Sequence, residues 1–443
     1  MDRTLLEPTP RELLDRERMS ALQVTAVTIC ILLNGLDGFD VLSINFAAPG
    51  IAAEWGIDRG MLGIVLSMEL IGMAFGSILI GPFADRHGRR PTILLCLLLM
   101  TAGMLLAATA SSIAFLTACR LATGLGIGGM LAATNAMTAE FANARYRNLC
   151  VILMATGYPL GVVLGGSLAS SLLEIYDWRS VFLVGAVASA AFVPVVWFLL
   201  PESIEFLSER RPRGALERIN ATLIRMRHPT ISALPAATVK PPGFTGLVAG
   251  PLLLVTVLLT AAYFAHIMTF YFILKWIPKV VADMGFMASE AGRVLVWANV
   301  GGALGSVVLG LLTQKFNIRY LLIAALIGAA VGVVIFGRGQ ADLGQLSVVA
   351  ALAGMFTNSA VVAMYALFAQ SFPTELRASG TGFVIGVGRG GAALGPIVAG
   401  FMLQAEMGLD TVAVFMAGGS LLAAGCIALL GKRAEMIAAG RTL

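Results

Sequence analysis

The sequence is short of charge. Asp, Glu, Lys and Arg supply 12% of its 443 residues, where soluble domains carry roughly 25%. That shortage excludes a soluble globular enzyme, a nucleic-acid-binding domain and a disordered chain, each of which keeps a polar or charged surface in water. Cysteine is sparse as well. Cys30, Cys96, Cys119, Cys150 and Cys426 all lie inside apolar runs, with no paired or metal-ligand spacing. They read as small hydrophobes, and no metal or cofactor is expected. The chain has no GxxxxGK[ST] loop, which argues against an ATP-driven pump. Its Ser, His and Asp residues fall in no catalytic pattern, so no enzyme is expected.

Apolar residues make up 58% of the chain and glycine contributes 50 positions. Mean hydropathy is +0.88. Apolar runs fall at about 22–48, 61–83, 91–110, 113–138, 148–172, 179–200, 250–277, 289–313, 320–337, 345–371, 379–403 and 411–431. Each is continuous rather than alternating and long enough to cross a bilayer, so the expectation is an all-α polytopic membrane protein with twelve transmembrane helices. Residues 1–20 are charged and mixed, and the run after them is too long for a signal h-region, so it reads as a retained span. Residues 201–246 form the one long polar stretch, part of which suits an amphipathic helix. The expected organisation is an N-terminal six-helix bundle (1–200), a central loop (201–246) and a C-terminal six-helix bundle (247–443).

Charge sets the orientation. With the N-terminus in the cytoplasm, twenty-two of the thirty Lys and Arg fall in cytoplasmic segments and six outside, Lys275 among the six, while Arg120 and Arg389 lie inside spans. The positive-inside bias places both termini and the central loop in the cytoplasm. The net charge of +5 therefore belongs to loops on one membrane face and not to a nucleic-acid site. The halves are also related. GPFADRHGRR (Gly81 to Arg90) recurs as GLLTQKFNIR (Gly310 to Arg319) 229 positions later, with Gln314 where Asp85 stands, and the same offset pairs Gly157 with Gly386 and Gly161 with Gly390. With a six-plus-six layout, this argues for two parallel repeats around a central cavity.

These residues resemble the major facilitator superfamily. GPFADRHGRR matches its signature between the second and third helices. Arg120 with Gly124, Gly126 and Gly128 resembles its fourth-helix motif, and GYPLGVVLGG (Gly157 to Gly166) its fifth-helix motif. Within it, the first-span Asp37-Gly38-Phe39-Asp40 is similar to the bacterial aromatic acid:proton symporters, as are LPES (Leu200 to Ser203), FPTELRASGTG (Phe372 to Gly382) and GRGGAALGP (Gly388 to Pro396). The last pieces recur in sugar and organic-anion symporters. The resemblance implies a multi-pass protein of the bacterial inner membrane and a proton-coupled importer of a small aromatic carboxylate of the benzoate, hydroxybenzoate or vanillate kind. It implies alternating access and needs no partner chain, so a monomer is expected.

Side-chain chemistry points the same way. Asp37 and Asp40 are three residues apart and share one helix face near mid-membrane, with Asn34 a turn away on that face. A carboxylate there is costly when charged and unpaired. Burial and a neighbouring carboxylate both disfavour the charged form, so the pair suits carrying a proton inward; a structural hydrogen-bonding role is the alternative. Glu69 and Arg120 are further buried charges, fitting proton coupling or a structural salt bridge. Arg389, near the middle of the eleventh span, offers a planar fork for a substrate carboxylate. Tyr263, His266 and Phe270 form one stripe of the seventh span, suited either to ordinary packing or to stacking on a flat ring. Trp297, Asn299, Asn358 and Tyr365 are weaker candidates. Trp55, Trp178 and Trp276 read as an interfacial belt.

A cytoplasmic charge cluster is expected to gate the transporter: Asp85, Arg86, Arg89 and Arg90, with Glu140, Arg145 and Arg147 as partners and Glu375 and Arg377 in the other half. A symporter of another organic anion or a sugar-like solute, a proton-coupled exporter and a non-transporting sensor are the alternative functions.

Overall fold

The computed structural model describes residues 9–234, 251–313, 315–339, 342–372 and 377–431. Every regular element among them is a helix. A backbone in lipid must satisfy its own hydrogen bonds, and a continuous apolar helix does so within one segment. The chain runs through α1 (Pro10–Arg16), α2 (Ala21–Trp55), α3 (Arg59–Leu79), α4 (Gly81–His87), α5 (Arg89–Ala108) and α6 (Ile113–Phe141). It continues through α7 (Arg147–Leu172), α8 (Arg179–Leu199), α9 (Ile204–Arg210), α10 (Ala215–Met226) and α11 (Pro251–Asp283). The last five are α12 (Ala288–Leu312), α13 (Ile318–Gly337), α14 (Leu343–Ser371), α15 (Arg377–Gln404) and α16 (Leu409–Leu430). Twelve of these helices are long and apolar enough to cross a membrane, in the order the apolar runs predict.

Two features that refine the sequence expectation have local causes. The central loop holds two helices. Ser203 caps α9 by accepting from the Phe206 N–H at 3.1 Å. Ala215, Ile219, Leu223 and Met226 line one buried stripe of α10, the spacing of an amphipathic helix. The seventh span also runs past its expected end at 277: Pro278 lies inside α11, which continues to Asp283. A proline inside a membrane helix is tolerated because neighbouring helices and local adjustments re-satisfy the backbone. Lys275, counted among the external residues, is fully buried in this helix.

Packing groups the helices into two compact units that cut across the expected 1–200 and 247–443 halves. One takes the described residues of Met1–Val41, Gly72–Gly161 and Phe182–Val239. The other takes those of Leu42–Ile71, Val162–Val181 and Lys240–Leu443. In the first unit, α2 and α7 cross at backbone contact. A Cβ on Gly161 would lie 1.8 Å from the Gly35 oxygen, and one on Gly38 would lie 2.2 Å from the Tyr158 oxygen. Small residues at such crossings let helices gain dispersion contacts that lipid cannot supply. The glycine between the two aspartates is therefore a packing residue.

In the second unit, α11 and α15 cross the same way. A Cβ on Gly391 would lie 2.1 Å from the Phe264 oxygen, and Phe264 is 229 positions after Gly35. Gly72 and Gly301, also 229 apart, sit equally tightly on Leu121 and Ala351. Gly386 meets nothing within 4 Å, so the repeated contact is carried by these positions and not by the 157/386 glycine pair. Gly161→Ala is expected to destabilise the fold by about 1–3 kcal/mol through overpacking. A fall in melting temperature in detergent, with Gly382→Ala (open space around its Cβ position) as the neutral control, checks it.

Candidate functional site

The first unit holds a buried polar group around α2. Asp37 and Asp40 are both buried, on the face their three-residue spacing dictates. The Asp40 carbonyl accepts from Arg120 Nη2 of α6 at 2.8 Å. Its carboxylate faces α8, where Ser189 Oγ lies 3.5 Å from Oδ2. Arg120 is wholly buried. Its second nitrogen reaches Met104 Sδ at 3.0 Å, and its guanidinium lies over the Phe182 ring at 5.4 Å. A weakly hydrated planar cation can be kept at this depth because an aromatic face and an oriented carbonyl replace part of its water. Asn34, on the same helix face, donates to the Met154 carbonyl at 2.7 Å and is 2% exposed.

The second unit holds an aromatic group beside a guanidinium. Tyr263 of α11 and Tyr365 of α14 share a hydrogen bond between hydroxyls at 2.9 Å, with ring centroids 5.8 Å apart. Phe368 meets Tyr263 edge-on at 5.6 Å. Gly388 makes room for the Tyr263 ring, since a Cβ there would lie 2.1 Å from its Cδ1. The next residue is Arg389, half-buried. Tyr365 is 40% exposed and Tyr263 3%, so the cluster presents the face of Tyr365, and an aromatic face of this kind can stack on a flat ring.

Other candidates from the sequence fall elsewhere. His266 is fully buried and held at both ring nitrogens: Nδ1 lies 2.9 Å from Ser420 Oγ, and Nε2 lies 3.0 Å from the Thr357 carbonyl. Its role is to join α11, α14 and α16, a correction to its expected place on the substrate wall. Phe270 packs edge-on against Tyr271, about two turns along α11 from Tyr263. Asn358 is half-buried and donates to the Gly302 carbonyl and Ser306, and Asn299 bonds its own helix at Leu295. Trp297 is 52% exposed. Trp178 and Trp276 are not belt residues: both are buried, with indole N–H groups on Glu54 and the Pro396 carbonyl. Glu69 pairs with Lys275 at 3.7 Å.

At the start of α5 in the first unit, Arg89 is the centre of a charge cluster. It binds Asp85 at 2.9 Å and Glu140 at 3.0 Å, and it donates to the Ala84 carbonyl at 2.9 Å. Glu202, from the LPES stretch, accepts the N–H groups of Arg89 and Ser203 at 2.9 and 2.8 Å, and so caps the start of α5. Burial pushes the Glu202 carboxyl above the ordinary carboxylate range, opposed by the backbone donors. Gly88 is required there: its φ is +110°, and a Cβ would lie 2.2 Å from Glu202 Oε2. Arg90 lies over the Trp197 ring. Arg86 is exposed, and Arg145 stacks on Tyr146 outside the cluster. Arg147 pairs with Asp15 of α1. Glu375 lies outside the described residues, and Arg377 opens α15.

With this geometry in hand, comparison with known proteins gives a consistent result. The sequence model of the Major Facilitator Superfamily matches residues 30–292 and again 259–438. The chain belongs to the major facilitator superfamily. It is 31% identical over 430 residues to the 4-hydroxybenzoate transporter PcaK of Pseudomonas aeruginosa, covering 94% of both chains. It is 30% identical over 404 residues to the gallate transporter of Pseudomonas putida, covering 90% of both. Among solved structures, the inward open conformation of the xylose transporter XylE from E. coli superposes with a TM-score of 0.71 at 16% identity, covering 95% of this chain and all of that one. The D-xylose-proton symporter superposes at 0.70 and 17% identity, covering 90% and 96%. These likenesses establish a multi-pass transporter fold rather than an enzyme fold.

The structure gives Ser189, Glu202 and Lys275 contacts that the sequence did not predict. Each completes a cluster whose other members had been recognised. None carries a local signal. A serine within a span is an ordinary small residue, the glutamate stands in a loop, and the lysine precedes a proline that reads as a helix end. Only the partners across helices mark them out.

Proposed function

We propose that the protein is a proton-coupled symporter that imports a small aromatic carboxylate across a bacterial inner membrane by alternating access. The observation that carries this reading is the Tyr263–Tyr365–Phe368 cluster packed against Gly388, the chain neighbour of Arg389. The Arg389 guanidinium takes the carboxylate, and the exposed Tyr365 offers its face to the ring and its hydroxyl to a ring substituent. The relatives transport hydroxylated aromatic acids by name, 4-hydroxybenzoate and gallate, which supports the same substrate class here. Asp37 and Asp40 carry the proton, with Arg120 setting the electrostatic environment of Asp40. The six-helix halves 1–200 and 247–443 are the moving bodies, Arg89 with Asp85 and Glu140 belongs to the cytoplasmic gate, both termini are cytoplasmic, and a monomer suffices.

Uptake into energised proteoliposomes tests this directly. Hydroxybenzoates are expected to accumulate, aliphatic acids of similar size to accumulate at least tenfold less, and an uncoupler to abolish accumulation. Equal uptake of aliphatic acids would overturn the aromatic assignment. Accumulation that survives the uncoupler would overturn proton coupling.

A further inference from the structure

The hydroxyl pair of Tyr263 and Tyr365 has a direction. The two oxygens are 2.9 Å apart, and by distance alone either could donate. Burial decides between them. Tyr263 is 3% exposed and Tyr365 40%. Among the described residues, Tyr365 is the one hydrogen-bond partner of the Tyr263 side chain. If Tyr365 donated, the Tyr263 hydrogen would be buried without an acceptor, at the full desolvation cost of an unmade bond. If Tyr263 donates, that cost vanishes. The free hydrogen then belongs to Tyr365, which can give it to water or to a ligand. The Tyr263 ring is also held in place. Phe368, wholly buried, meets it edge-on, and the ring fills the space left at Gly388. Phe368 lies against Tyr365 as well, with centroids 6.3 Å apart. The helix that carries Tyr365, α14, packs against α11, α12, α13 and α15, so the exposed part of Tyr365 opens among helices.

We propose that Tyr263 fixes Tyr365 as a hydrogen-bond donor, and that the site therefore selects aromatic carboxylates whose ring carries an acceptor, such as a hydroxyl or methoxy oxygen. The inference rests on the aromatic-carboxylate reading above and deepens it. The Tyr365 oxygen is already taken by the Tyr263 hydrogen, so it has little left to offer an N–H of the substrate. Accepting that bond also polarises the Tyr365 O–H and makes it a stronger donor. A site built to hydrogen-bond a substrate group rejects the analogue that lacks it, because the site's own polar group is then left unpaired. A phenolic oxygen and an aryl ether oxygen both accept. An arylamine nitrogen has its lone pair drawn into the ring and accepts poorly, so an amino substituent gains nothing here. Tyr263 is a positioning residue: it acts through Tyr365 and does not touch the substrate.

Calorimetric titration of the purified protein with benzoate and with its hydroxy, methoxy and amino derivatives, each as the meta and the para isomer, tests this. The better isomer of the hydroxy and methoxy acids is expected to bind about fivefold tighter than benzoate, the worth of one neutral hydrogen bond. The aminobenzoates are expected to bind no tighter than benzoate. Tyr365→Phe removes the donor and should bring the hydroxy and methoxy acids level with benzoate. Tyr263→Phe frees the Tyr365 oxygen to accept, so the preference for methoxy over amino should fall towards parity. A merely structural Tyr263 would weaken all ligands alike and leave that ratio as in the parent, which overturns the inference. A parent that does not discriminate among the derivatives, or a preference that survives in Tyr365→Phe, overturns it too while leaving the aromatic reading in place. A parent that binds none of these acids, benzoate included, overturns both. Where Tyr263→Phe does not fold, the parent and Tyr365→Phe decide.

Discussion

Asp37→Asn is expected to abolish uphill accumulation of the aromatic acid while leaving exchange of labelled for unlabelled substrate intact. One proton per monocarboxylate makes the cycle electroneutral. A gradient of one pH unit, about 1.4 kcal/mol, then sustains about tenfold accumulation. An amide at position 37 cannot take up or release that proton, so the internal concentration should fall to parity with the external one. Exchange needs only binding and reorientation of the loaded carrier, and a side chain of nearly the same size should preserve it. Asp40→Asn should behave differently. The Asp40 main-chain carbonyl, which holds Arg120, survives the substitution, whereas the charge facing Ser189 of α8 is lost. Measuring accumulation and exchange side by side in both variants separates a proton carrier from a packing residue. Accumulation at the parent ratio in Asp37→Asn would remove Asp37 from the coupling mechanism.

The second large effect is at Arg389. Replacing it with alanine is expected to weaken binding of aromatic carboxylates by about tenfold to a hundredfold. This corresponds to roughly 1.5–3 kcal/mol for hydrogen bonds to a charged group. Arg389→Lys should recover part of the loss, because it keeps the charge and forfeits the planar fork. A neutral amide analogue of the same ring separates the contributions. Its affinity should be unchanged in Arg389→Ala, since stacking on the exposed Tyr365 remains. Calorimetric titration of the purified protein with the acid and the amide provides the comparison. Equal affinities for the acid in parent and variant would place the anion site elsewhere.

The spans and the clusters differ in how far they could be read in advance. The twelve spans were legible because membrane insertion is decided segment by segment, from length and apolarity along the chain. Asp37, Asp40 and Arg120 were legible because an ionisable residue inside an apolar run is expensive and therefore stands out. The partners were not. His266 was visible as the sole histidine within a span, but its two hydrogen bonds, to Ser420 and Thr357, come from helices more than ninety residues away, and they turn an expected ligand into a strut. Tyr365 was a minor candidate until its hydroxyl met that of Tyr263. Lys275 lay two residues from the expected end of its span and was counted as external, yet it is fully buried in α11.

The linear order of residues by itself determined the all-helical membrane class, the number of spans and the repeat spacing of 229, because hydropathy and backbone satisfaction are local properties. It also determined which side chains would be costly to bury. Which of those charges face one another, and which merely fill space, was decided only when helices distant in the chain crossed at their glycines. Pairing a buried charge depends on a few ångströms of separation, and no local pattern encodes the distance from Glu69 to Lys275 or from Asp40 to Arg120.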